Sequence, residues 1–136
     1  MKRRDFIAAG GATLLLPAAL SAEPVEYKPG VVTDALGAGR TVFLDFKASW
    51  CTTCAAQEKV LKRLKAENPD YEANITFVNI DWDTYGRSSF AQRLNIPRRS
   101  TLVVLKGDTE VGRLVAETRE DRIKALLDAA LNAATA

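Results

Sequence analysis

The segment Thr41-Val42-Phe43-Leu44-Asp45-Phe46-Lys47 is a continuous apolar run broken by a single acid. A strand with one wet face alternates apolar and polar residues. An unbroken run instead reads as a strand buried on both faces, which is the habit of a parallel position covered by helices. This one element commits the chain to an α/β architecture. Directly after it comes Trp50-Cys51-Thr52-Thr53-Cys54, which holds the only two cysteines of the chain. The next helix is expected to run from the cysteines to about Glu67 and to stop before Asn68-Pro69, with Val60, Leu61 and Leu64 as its inner stripe.

A thiol pair at a strand-to-helix junction has a specific chemical meaning. A helix N-terminus stabilises an anion, and the thiolate is the attacking species in disulfide exchange. The i,i+3 spacing puts Cys51 at the first turn and Cys54 one turn deeper on the same face. Cys51 is therefore expected to be the exposed nucleophile and Cys54 the shielded resolving thiol. A structural staple is a weaker reading, since so short a loop removes only about 2 kcal/mol of unfolded-state entropy. Half of a zinc site is the other reading. Such a site normally needs four ligands, and the chain has no further cysteine and no histidine. A copper- or zinc-binding or assembly module using the two thiolates is the alternative function. No metal site is assigned.

The stretch Asp45-Phe46-Lys47-Ala48-Ser49-Trp50-Cys51-Thr52-Thr53-Cys54 resembles the strand and active-site helix of thioredoxin-like proteins, Asp-Phe-x-Ala-x-Trp-Cys-x-x-Cys. Glu58 is similar to a residue of the periplasmic thioredoxin-like domains of transmembrane reductant carriers. The resemblance runs with falling specificity from about Val31 to Leu131. It implies a thioredoxin fold, with a central mixed β-sheet flanked by helices. It also implies dithiol–disulfide exchange on protein thiols and disulfides without a bound organic cofactor. Asp45 is implied to sit beneath the cysteines and move the proton of the buried thiol. Independently, burial of an acid inside an apolar strand should raise its pKa, and in a chain lacking histidine a carboxylate is the natural general base. Trp50 either shields the disulfide and contacts the substrate or simply packs. Glu58 is a second acid, with an i,i+4 pair to Lys62 as its structural explanation.

The departure from the family lies in Ile96-Pro97-Arg98-Arg99-Ser100-Thr101. Thioredoxins carry a cis-proline just before the threonine that opens this strand. Aligning Thr101 with that threonine puts Ser100 in the proline position and leaves Pro97 three residues early. Either Pro97 approaches the site through a rearranged loop or the proline is absent; a cis bond at Ser100 would cost about 2.5–4 kcal/mol, which favours trans. Arg99, Ser100 and Thr101 are the expected substrate-side residues. Arg98 and Arg99 either supply positive charge to the groove and to the Cys51 thiolate or form a solvated loop. Asp81 and Asp83 read as a strand end and a helix cap rather than a metal pair.

The first 22 residues read as an export signal: a basic Lys2-Arg3-Arg4, a short apolar stretch from Phe6 to Leu16, and Leu20-Ser21-Ala22 before a cut at Glu23. Arg3-Arg4-Asp5-Phe6-Ile7 resembles a twin-arginine motif, and an ordinary Sec signal is the alternative. Export points to the bacterial periplasm, or to membrane anchoring if the signal stays uncleaved. An extracytoplasmic reductant needs a membrane electron donor. Removing Lys2, Arg3, Arg4 and Asp5 from 19 basic and 17 acidic residues leaves 16 of each. The domain from 23 to 136 is thus neutral, which argues against nucleic-acid binding. It is expected to be one monomeric domain.

The remaining elements follow the thioredoxin order. Glu23 to Gly30 reads as a leading arm, and Val31 to Leu36 as a short helix. Ile75 to Ile80 is a second buried strand. Asp83 is expected to cap a helix from Thr84 to Leu94. Thr101 to Leu105 and Val111 to Val115 form a hairpin around Gly107-Asp108. Thr118 and Asp121 resemble a capping box before a helix with the stripe Ile123, Leu126, Leu127, Ala130 and Leu131.

Overall fold

The computed structural model describes residues 23–136; the expected export signal lies outside them. Five strands form one sheet: β1 (Val25–Glu26), β2 (Thr41–Lys47), β3 (Ile75–Asp81), β4 (Thr101–Lys106) and β5 (Thr109–Val115). Their spatial order is β1-β3-β2-β4-β5. β2 runs parallel to β3, with Thr41 opposite Ile75 and Lys47 opposite Asp81. It runs antiparallel to β4, with Phe46 opposite Thr101. The apolar run that opened the sequence argument is thus the central strand of a mixed sheet, buried from Thr41 through Phe46.

Six helices join the strands: α1 (Val31–Gly37), α2 (Thr52–Glu67), α3 (Asp70–Asn74), α4 (Trp82–Tyr85), α5 (Ser89–Arg93) and α6 (Glu120–Thr135). Alternation along β2 divides the interior in two. Phe43 packs with Leu61 and Leu64 of α2 and Ile123 and Leu127 of α6. Val42, Leu44 and Phe46 pack with Val32, Tyr27 and Ala91 on the opposite face. Among the described residues, no helix is long and apolar enough to cross a membrane.

Several elements differ from the sequence reading. The leading arm contains β1, whose two residues pair with Val78 and Asn79 of β3. α3 was not foreseen, being only five residues long. The helix expected from Thr84 to Leu94 is two short helices separated at Gly86-Arg87-Ser88. Gly86 sits where any Cβ would stand 2.7 Å from the Trp82 carbonyl oxygen and 2.8 Å from its indole. The second helix is capped by Ser88, whose hydroxyl accepts the Ala91 N–H. Asp83 is therefore not the cap. At α6 the capping-box pattern also fails: the cap position is Arg119, and Glu117 accepts the backbone N–H groups of Thr118 and Arg119.

Candidate active site

The active-site geometry begins at the end of β2. Ala48 accepts the Cys51 N–H at 3.2 Å, a turn that delivers Cys51 to the N-cap of α2. The Cys51 sulfur accepts the backbone N–H of Cys54 at 3.1 Å, so the thiol itself satisfies one of the open donors of the helix. Cys51 is not exposed as expected. It is 4% accessible and Cys54 is 3%, both packed with Ala48 and Trp82. The difference between the thiols is electrostatic instead. Burial opposes ionisation of Cys51. Hydrogen bonds from the Cys54 thiol, the Ser100 hydroxyl, the Cys54 N–H and the Arg99 guanidinium outweigh it and bring the Cys51 pKa down to about 7. Burial and the neighbouring Cys51 raise that of Cys54. The two thiols therefore differ by hydrogen bonding and not by the exposure expected of Cys51.

Ser100 faces both sulfurs. Its hydroxyl oxygen lies 3.2 Å from Cys51 Sγ and 3.1 Å from Cys54 Sγ. The residue is fully buried and its backbone is left-handed, with φ at 64°. That conformation disfavours a non-glycine residue by roughly 1–2 kcal/mol. It is held by three backbone contacts. Ser100 N–H donates to Phe46 O at 2.7 Å, and Ser100 O accepts from Ala116 N–H at 2.8 Å and from Gln57 Nε2 at 3.0 Å. No peptide bond among the described residues is cis. Pro97 is exposed. The two alternatives for this loop therefore resolve in favour of a site without proline.

The other expected substrate-side residues divide. Trp50 is 56% exposed, and its indole N–H donates to the Asp83 carboxylate at 3.0 Å. The Arg99 guanidinium lies over the Trp50 ring at 4.6 Å, and its Nε is buried without a protein partner. Together they form the outward wall above Cys51. Thr101 is fully buried, with its hydroxyl donated to Arg98 O at 2.6 Å.

Asp45 is 6% accessible, and its Oδ1 has no hydrogen-bond partner. Burial, with Glu58 adding and Lys47 and Lys65 subtracting, pushes its pKa up to about 7. It lines a cavity of about 390 Å³ together with Lys47 and Glu58. The same two residues line an adjoining cleft of about 410 Å³ that reaches Cys51 and Cys54. Asp45 and the thiols thus lie on either side of a Lys47–Glu58 ion pair, closed at 2.8 Å. Lys62 is the more distant partner of Glu58, at 3.3 Å. Hydrogen bonding to Lys47 holds the Glu58 pKa below its ordinary value. Among the described residues, no cluster of three or more His, Cys, Asp or Glu is arranged to hold a metal.

One contributor, Gln57, went unnamed in the sequence reading, and Asp83 was read only as a helix cap. Gln57 is fully buried and bridges Ser100 O to Glu117 O, both at 3.0 Å. Its signal was present: a polar residue continues the stripe of Val60, Leu61 and Leu64 one turn toward the cysteines. Asp83 as the partner of Trp50 had no such signal, because that contact joins α4 to the turn before α2.

The thioredoxin family profile matches residues 27–129. A thioredoxin of Mycolicibacterium smegmatis is 31% identical over 98 residues, which cover 71% of this chain and 85% of that protein. Thioredoxin H2-1 of Oryza sativa subsp. japonica is 29% identical over 87 residues, covering 64% of this chain and 59% of the rice protein. The crystal structure of Trxlp from Edwardsiella tarda superposes with a TM-score of 0.66 at 28% identity, covering 76% of this chain and 97% of that one. Malassezia sympodialis thioredoxin superposes at 0.61 with 20% identity, covering 82% of this chain and 96% of that one, a likeness of fold.

Proposed function

The chain belongs to the thioredoxin family, and on that premise we propose that it is an exported protein-disulfide reductase working through Cys51 and Cys54. Thiol–disulfide oxidoreductase activity is supported by its thioredoxin relatives. The finer assignment of roles is supported by the N-cap position of Cys51, whose sulfur accepts the Cys54 N–H at 3.1 Å, an arrangement that favours thiolate at Cys51 and leaves Cys54 the more basic thiol. In the reducing direction the Cys51 thiolate attacks a client disulfide, forming a mixed disulfide and expelling one client thiolate. Cys54 then loses its proton and attacks Cys51 Sγ. The mixed disulfide breaks, the second client thiolate leaves, and two electrons have passed to the client. Asp45 takes the proton of Cys54, its carboxylate being half ionised near neutrality.

The absence of a histidine beside the cysteines supports reduction over oxidation, since only a strongly stabilised thiolate makes a strong oxidant. Residues 1–22, with their Arg3-Arg4 pair, support export to the periplasm, where a membrane electron donor would have to re-reduce the pair. Equilibration of the protein with a glutathione series tests the direction. A potential near about −270 mV is the expected result, and one near about −120 mV would make the protein an oxidant. Copper or zinc titration of the reduced protein, with the double Cys→Ser variant as control, tests the metal-carrier alternative.

A further inference from the structure

Ser100 is placed unlike any other side chain in the site. Its hydroxyl is equidistant, within 0.1 Å, from the two reacting sulfurs. Its backbone is fixed by Phe46, Ala116 and Gln57 from three different segments. The hydroxyl is thus a single rotor, fixed at its base, between two partners. A hydroxyl has one hydrogen to give and lone pairs to accept with. It can donate to only one sulfur at a time, while accepting from the other.

We propose that Ser100 is a catalytic residue of the exchange reaction, its hydroxyl hydrogen following the negative charge from Cys51 to Cys54 as the reaction proceeds. This rests on the dithiol–disulfide reading given above. In the reduced enzyme the Cys54 S–H donates to Ser100 Oγ, and Ser100 O–H donates to the Cys51 thiolate. When Cys51 attacks a client disulfide, its charge leaves with the first client thiolate and its sulfur becomes neutral. The Ser100 hydrogen then turns to Cys54 Sγ. There it stabilises the second thiolate as the Cys54 proton departs to the carboxylate of Asp45. Cys54 attacks Cys51 Sγ, the internal disulfide forms and the second client thiolate leaves. Ser100 forms and breaks no covalent bond to sulfur, so the electron count is that of the exchange itself. In the reverse direction an attacking donor thiolate makes Cys54 the leaving group, and the same hydrogen stabilises it.

The Cys54 N–H and the Arg99 guanidinium also face Cys51, so the charge on that sulfur has donors besides Ser100. Cys54 shares with Ser100 the only such side-chain hydroxyl recorded at its sulfur among the described residues. Loss of the hydroxyl should therefore weigh more on the resolving step than on the first attack.

Two variants separate the hydroxyl from the backbone. Ser100→Ala keeps the Cβ, and Ser100→Gly relieves the left-handed conformation. Two steps are measured: alkylation of Cys51 by iodoacetamide against pH, and stopped-flow release of 5-thio-2-nitrobenzoate from its mixed disulfide with Cys51. Both variants are expected to move the alkylation midpoint upward and to slow release at pH 7 about tenfold or more, with the larger effect on release. Wild-type release rates in both variants would overturn the assignment. A defect in Ser100→Ala that Ser100→Gly lacks would also overturn it, reducing Ser100 to a backbone role. The underlying reading fails separately: the wild-type protein itself would then neither react with the aromatic disulfide nor release the thiol.

Discussion

Asp45 carries an electrostatic cost, because burial opposes its ionisation. Its folded pKa of about 7 lies above the ordinary 3.8. Below pH 4 both folded and unfolded states hold the proton and the residue is neutral to stability. Between pH 4 and 7 the unfolded chain releases it first, so stability falls as pH rises, and above pH 7 the full penalty applies. The gap corresponds to at most about 4 kcal/mol. Asp45→Asn should therefore gain stability relative to the parent between pH 4 and pH 8, read from urea midpoints at each pH. It should also slow release of mixed disulfides by Cys54. Unchanged exchange kinetics across pH 6–9 would remove Asp45 from proton transfer. This residue was legible because an acid within an apolar run has few explanations. Ser100 was legible only as a missing proline. Its contact with both sulfurs depends on a φ of 64° and on tethers from Phe46, Ala116 and Gln57, which no local pattern encodes.

At the level of elements, periodicity recovered those whose burial is continuous. β2 and α2 have the bounds expected of them, and Ile123, Leu126, Leu127 and Ala130 of the α6 stripe are buried. One failure comes from competition between local signals. Thr84 to Leu94 carries enough helical pattern for one helix, but the chain turns at Gly86 to seat the Trp82 indole against the Cys51–Cys54 cluster. Gly86→Ala must move that indole or the Trp82 carbonyl. It is expected to destabilise the protein by about 1–3 kcal/mol and to alter the tryptophan emission of the reduced state. A midpoint and spectrum matching the parent would show that α4 adjusts freely. β1 and α3 escaped detection because two and five residues are too short for either period to show.

For the molecule as a whole, the first described strand forms one edge of the sheet. Tyr27, directly after β1, is 8% accessible; it stacks on Phe90 at 4.9 Å and meets Tyr85 edge-on at 4.8 Å. Those rings tie the segment after β1 to α4 and α5. A chain starting at Val31 should lose both the β1–β3 pairing and this aromatic cluster. Its unfolding free energy in urea titration should fall by about 2–4 kcal/mol relative to a chain starting at Glu23, with a lower midpoint. Equal midpoints would make β1 dispensable. The same whole-molecule view changes what Ser100 means. Many serine codons lie one base from proline, yet proline holds φ near −65° and has no N–H to give. At a residue with φ of 64° whose N–H is bonded to Phe46 O, that single mutational step leads to a broken loop, not to an ordinary thioredoxin. A proline at this position therefore requires a different loop conformation and another donor for the Phe46 carbonyl.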